Sequence, residues 1–292
     1  MPFPASAVGA ALQSFGKTVS VRDILAYAAG LGAAEAAFLD DDQTGGLRGL
    51  PFLCVSLEWP CIVSTRNALS GALSPHDARR GVHAFQDSTF HRPIRPGDRL
   101  ITVGRLVSAR RVRSGVLTVS KLVTKDAVNG EPVTTSWSGS VYRDVALDGE
   151  DTTIETPPAM PAEVSAALPP DARTVSIPIA THMPHVYSEC ADIWNPIHTE
   201  RAVALAADLP DIILHGTATW ALAGLTLLRR CADNDVGRLK RITGRFTGLV
   251  IPGETITVRF ARSDGGFVRF EVLTAAGQPA ISDGAAWLTN EA

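Results

Sequence analysis

The chain has 292 residues, of which 45% are apolar and 20% charged, with a net charge of −3. That length suits two domains or one large one, and the balance is that of an ordinary globular protein. It offers no electrostatic case for a nucleic acid or an anionic membrane as partner.

No apolar run reaches the ~20 residues that span a bilayer. The opening MPFPASAVGAALQSFGK lacks a basic stretch and carries two early prolines, unlike a secretory leader. Cys54, Cys61, Cys190 and Cys231 show neither CxxC nor zinc spacing. Reduced thiols and a cytoplasmic location are therefore expected.

Residues 21–34 predict a helix that ends near Gly30 or Gly32. Residues 52–63 predict an apolar helix that Pro60 shortens or bends. Strands are expected at 100–107, 115–124 and 133–145, the second alternating visibly over residues 117–122. Residues 147–174 are rich in acidic and small residues and carry Pro157, Pro158, Pro161, Pro169 and Pro170. This stretch reads as a linker between domains at 1–146 and 175–292.

The second half predicts a helix at 217–231 that is apolar on every side and hence buried. Strands follow at 255–262, 267–273 and 280–288. The halves look related. Phe90, Pro96, Gly97 and Asp98 recur as Phe246, Pro252, Gly253 and Glu254, at a constant spacing of 156 residues, with apolar strands on either side. A curved antiparallel sheet wrapped around a buried helix, twice over, is the expected architecture: an α+β chain of two tandem hot-dog domains.

The chemistry concentrates in residues 187–224. Pro196 stiffens the loop at Asn195 and so presents His198 in a fixed orientation, where an imidazole suits proton transfer near neutral pH. Gly216 stands at the mouth of the buried helix, where free N–H groups favour developing negative charge. Asp192 is a candidate second acid or base. Each feature also has a plainer reading, as a turn, a helix cap or a solvated carboxylate. His182 and His185 form H-x-x-H; in an extended segment they point to opposite faces, so no metal site is expected. Cys190 lacks the partners of a nucleophile.

Tyr187-Ser-Glu-Cys-Ala-Asp-Ile-Trp-Asn-Pro-Ile-His198, followed by Leu209-Pro-Asp-Ile-Ile-Leu-His-Gly216, resembles the signature of the MaoC-like family. That family includes (R)-specific enoyl-CoA hydratases and hydroxyacyl-thioester dehydratases. The resemblance spans nearly the whole chain and implies the two-hot-dog form, with an N-terminal repeat that supplies acyl-binding surface. It implies a hydro-lyase acting on 2-enoyl or 3-hydroxyacyl thioesters carried by coenzyme A or an acyl carrier protein, with no cofactor. His198 would be the acid/base, Asn195 would orient it or the water, and the Gly216 N–H would hold the thioester carbonyl. Tyr187, Ile193, Trp194, His215 and Thr217 would surround the substrate. The first half lacks both motifs, so one active site per chain is implied. The joined halves would form a pseudo-dimer, and further homodimerisation is compatible with it.

One departure matters. Without a gap, the family's catalytic Asp falls on Ile193, and Asp192 lies one position too far from His198. An Asp192 that points inward favours hydration. An outward Asp192 with Ile193 in the pocket favours a thioester isomerase, a cyclase or a non-catalytic acyl-thioester-binding protein. For the carrier's phosphates the candidates are Arg105, Arg110, Arg111, Arg113, Arg241 and Arg245.

Overall fold

The computed structural model describes residues 2–68, 73, 74, 77, 78 and 80–289. The first half supplies strands β1 (Phe15–Thr18), β2 (Gly81–Phe90), β3 (Arg99–Val112), β4 (Gly115–Asp126) and β5 (Pro132–Arg143). The second supplies β6 (Arg173–Pro178), β7 (Leu239–Phe246), β8 (Thr255–Arg262), β9 (Phe267–Leu273) and β10 (Pro279–Leu288). Side by side they run β1-β3-β4-β5-β2-β7-β10-β9-β8-β6, with antiparallel neighbours. Read outward from the central β2–β7 pair, the two halves have the same order. The chain is thus a double hot-dog, and its halves are related by a pseudo-twofold axis at that pair.

The repeated Pro-Gly-acid turn supports the same symmetry. Gly97 and Gly253 have φ of 86° and 92°, a region closed to most side chains. The Gly97 N–H donates to the Val19 carbonyl and the Gly253 N–H to that of Ile179, both at 2.7 Å. The return bonds, from Val19 N–H to Asp98 and from Ile179 N–H to Glu254, are both 2.8 Å. The turn therefore ties its strand to the segment that precedes the first helix of each half.

Those first helices are α1 (Val21–Gly30) and α3 (Met183–Ala191). They pack against each other, and the Tyr27 and Tyr187 hydroxyls meet at 3.3 Å. The central helices are α2 (Cys54–Ala68) and α5 (Gly216–Cys231), with a short α4 (Arg201–Ala206) before the latter. Every residue of α5 from Ala218 to Leu228 is buried, as an all-round apolar helix requires. It touches the first half closely: a Cβ on Gly224 would lie 2.2 Å from the Phe52 ring. One apolar core runs through both halves.

The structure departs from expectation in several elements. α2 continues through Pro60 to Ala68, longer than predicted. Proline removes one helix bond, but the packing of a central helix inside its sheet outweighs that loss. Strands β2 and β7, which join the halves, were visible in sequence only as the apolar residues beside Phe90 and Phe246. Asp87 on β2 and Arg241 on β7 pair across that seam with two hydrogen bonds of 2.8 and 2.6 Å, and both are nearly buried. The stretch expected as a linker is bound to both halves: Thr153 pairs with Ser108 of β3, and Arg269 of β9 donates to the Glu163 carbonyl at 2.9 Å. Among the described residues, no helix is long and apolar enough to cross a membrane.

Candidate active site

The motif region is not one extended loop. Residues 183–191 are helical, and Asp192 closes α3 in the left-handed conformation at φ 54° and ψ 38°. The Ile193 N–H then donates back to the Ser188 carbonyl at 3.1 Å, a helix-terminating bond. Asp is among the few residues that tolerate this conformation. The reversal turns the Asp192 carboxylate into solvent, where it is 84% exposed and 3.7 Å from Lys17 Nζ. It turns Ile193 inward, where that side chain is buried.

Asn195 is extended, and Pro196–His198 form a single tight turn. The turn delivers the His198 ring to the Ile213 carbonyl, to which Nδ1–H donates at 2.8 Å. That bond fixes the tautomer: in the neutral ring Nε2 is the unprotonated nitrogen, the form a general base requires. The opposite face of the site is His215. Its ring stacks on His198 with centroids 3.7 Å apart and planes 23° apart, and its Nε2 shares a hydrogen bond with Ser188 Oγ at 3.1 Å. Burial first, and the neighbouring His198 ring second, push the His215 pKa well below its ordinary value. His215 is thus a neutral platform.

Gly216 is the first residue of α5. The first N–H groups of a helix have no partner within it and carry the positive end of its dipole. Its missing side chain leaves room: a Cβ there would meet the Phe246 ring at 3.2 Å. His198, Asn195, Gly216, Thr217, Ile193 and His215 all line one cavity of about 390 Å³. A base, an amide and a group of helix-end donors therefore face the same space, which suits proton transfer next to a polarised carbonyl.

Three expected residues stand outside that lining. Asp192 is one, for the reason above. Trp194 is half exposed on the outer side of the loop. Tyr187 is fully buried behind the site; its hydroxyl donates to Thr217 Oγ1 at 3.3 Å and so supports a lining residue without being one. Burial raises its pKa to about 12. His182 and His185 lie at the start of α3, not in an extended segment, and His185 Nε2 meets the Thr199 carbonyl at 3.0 Å. Cys190 packs against Gly30, and burial raises its thiol pKa.

None of the six arginines proposed from sequence lines the cavity. Arg241 is committed to Asp87, Arg245 to Asp283 and Arg111 to Asp151. Arg143, at the end of β5, does line it. Its Nε is buried without a hydrogen-bond partner among the described residues, and Nη2 lies 3.5 Å from the Ala207 carbonyl. Val55, Trp59 and Ile62 of α2, His83 and Gln86 of β2, and Ser138 and Ser140 of β5 also line it from the first half. Sequence reasoning missed Arg143 and Gln86 because only the pairing of β5 with β2, and of β2 with β7, brings them to a site on the other half.

The MaoC like domain matches residues 171–283, and the FAS1-like dehydratase domain region matches residues 6–136. The second half of the chain thus carries a MaoC like domain, and the first half matches a FAS1-like dehydratase region. The chain superposes on a MaoC-like dehydratase of Phytophthora capsici with a TM-score of 0.81, covering 99% of this chain and 98% of the other at 22% identity. It is 27% identical over 270 residues to 3-hydroxyacyl-thioester dehydratase Y of Mycobacterium tuberculosis, covering 90% of this chain and 87% of the relative. It is 38% identical over 87 residues to the fatty acid synthase subunit beta of Aspergillus oryzae, of which it spans only 4%.

Proposed function

We propose that the chain catalyses reversible addition of water to 2-enoyl thioesters, carried by coenzyme A or an acyl carrier protein. One observation carries this reading: the His198 ring and the Gly216 helix end line the same cavity. The Gly216 N–H holds the thioester oxygen and stabilises the enolate that forms on it, an effect worth roughly 3–4 kcal/mol in acyl chemistry. Water supplies OH to the β-carbon. His198 Nε2 takes the proton that the water loses and returns it to the α-carbon, so one imidazole balances the addition. Asn195, on the same wall, orients the water. The joined halves act as one self-contained pseudo-dimer.

A second reading rests on the outward Asp192 and the inward Ile193. With one acid/base group, the same enolate suits a thioester isomerase that moves the double bond by a proton shift, or a cyclase. Without turnover, it suits an acyl-thioester-binding protein. Incubation with a panel of 2-enoyl and 3-hydroxyacyl thioesters separates these. Hydration or dehydration changes the mass by one water, isomerisation moves the double bond at constant mass, and binding alone changes neither. His198→Ala should lose turnover; a variant that hydrates crotonyl-CoA at the wild-type rate removes the mechanism.

A further inference from the structure

Among the described residues, Arg143 is the only arginine or lysine in the cavity wall, and Asp208 is the only acid. Arg143 stands half-buried at the end of β5. Its guanidinium forms no ion pair with a described residue, and its one hydrogen bond there is the 3.5 Å contact from Nη2 to the Ala207 carbonyl. The acids closest to hand do not serve it. Asp144 is paired with Arg80, and Asp208 is exposed and forms no ion pair among the described residues. A partly buried guanidinium without a counter-charge is costly, and it favours an anion that can enter the cavity.

The wall also has an order. Thr247, Gly248 and Leu249 are exposed and follow Phe246, whose ring lies against Gly216, so the Gly216 end is open to the carrier. His198 comes next, with Nδ1 on the Ile213 carbonyl. Ile197, beside His198 in the chain, and Ile213 join Ala207 and Leu209 in one apolar cluster. Ala207 is the residue that the Arg143 guanidinium touches. Starting from the thioester oxygen, the site thus presents a donor, a base, an apolar patch and then a cation.

We propose that the acyl group taken by this cavity ends in a carboxylate, which Arg143 binds. The substrate is then the monothioester of a dicarboxylic acid. The proposal rests on the acyl-thioester reading of the site and names its substrate class. The carrier's phosphates are also anions, but they lie beyond the sulfur at the far end of a pantetheine arm. Arg143 lies on the acyl side of His198, which assigns the anion to the tail.

The test compares CoA monothioesters of 2-ene dicarboxylic acids with plain 2-enoyl-CoA of matched length, on the full-length chain. At one length the acid should be favoured in kcat/KM by about tenfold or more, because a charged site rewards the carboxylate and rejects the methyl analogue. Arg143→Gln should bring that ratio to within about twofold, and Arg143→Lys should keep part of it. Equal rates on both series at every length overturn the proposal and leave the hydration reading intact. A preference that survives undiminished in Arg143→Gln overturns it as well. Thioesters of N-acetylcysteamine carry no phosphate. If Arg143→Gln weakens all CoA substrates alike and spares these, the anion belongs to the carrier and the proposal falls. Calorimetric titration with the matching saturated CoA pair needs no turnover. Tighter binding of the carboxylate member without hydration keeps the proposal and removes the hydration reading; no binding and no turnover remove both.

Discussion

The His198 and His215 rings lie face to face, 3.7 Å between centroids, with His198 Nδ1 tied to the Ile213 carbonyl and His215 Nε2 tied to Ser188. Two rings this close resist carrying charge together, and the more buried one yields. His215 therefore stays neutral at pH values where an unfolded histidine is charged. Stability that depends on this ring is complete above pH ~6.5 and is lost as pH falls below it, because the unfolded chain takes up a proton that the folded chain refuses. His215→Phe keeps a stacked ring and removes the titration. Its melting temperature should gain on the wild type between pH 7 and pH 5; the Ser188 bond it loses shifts both values equally. Parallel melting curves at the two pH values would refute the assignment.

Glu58 acts in the opposite direction. It is fully buried, and burial raises its pKa from 4.5 to about 7, against the lowering effect of Ser136 and Gln86. Between those values the folded chain holds a proton that the unfolded chain has lost. The contribution of Glu58 to stability is thus greatest below pH 4.5, falls as pH rises towards about 7, and stays lower above it. The full effect is on the order of 3 kcal/mol. The window overlaps that of His215, so the wild-type curve alone does not separate the two groups. Glu58→Gln should be more stable than the wild type at pH 8 and no more stable at pH 4.5, as read by urea unfolding.

Asp192 holds no place in the cavity. Asp192→Asn preserves the size of the side chain and suits the left-handed position equally well. Its kcat/KM on crotonyl-CoA should stay within about twofold of wild type, since a solvated group 84% exposed has no bond to lose in the transition state. A tenfold loss would return the carboxylate to the chemistry and demand a rearranged loop.

Gly216→Pro tests the helix-end donor directly. Proline is well tolerated at the first position of a helix, where its missing N–H has no intrahelical partner. His215 already has φ −58° and ψ 136°, the extended conformation that a following proline imposes. The helix should persist, and kcat should fall by about 10²–10³-fold. Gly216→Ala is the steric control: it crowds Phe246 at 3.2 Å but keeps the N–H, so it should retain far more activity. Equal losses in the two variants would attribute the effect to bulk.

The amino-acid pattern alone determined the duplicated α+β architecture, because a Pro-Gly-acid turn between apolar strands and an all-round apolar helix each admit few structures. It also singled out His198, Asn195 and Gly216, which the fold brings to one cavity and whose local geometry is short-range: a stiff proline turn and a helix start. The roles of Asp192 and Ile193 depended on where α3 stops. One left-handed residue there exchanges inside for outside, and a string of letters does not reveal that reversal. Gln86, Arg143 and the buried Glu58 were hidden for a different reason. They lie more than forty residues from the motif, and only strand pairing across the β2–β7 seam and the packing of α2 bring the first half to the cavity. Local sequence fixes backbone chemistry over a few residues. Which side chains share a cavity is settled by long-range burial, which only the assembled fold expresses.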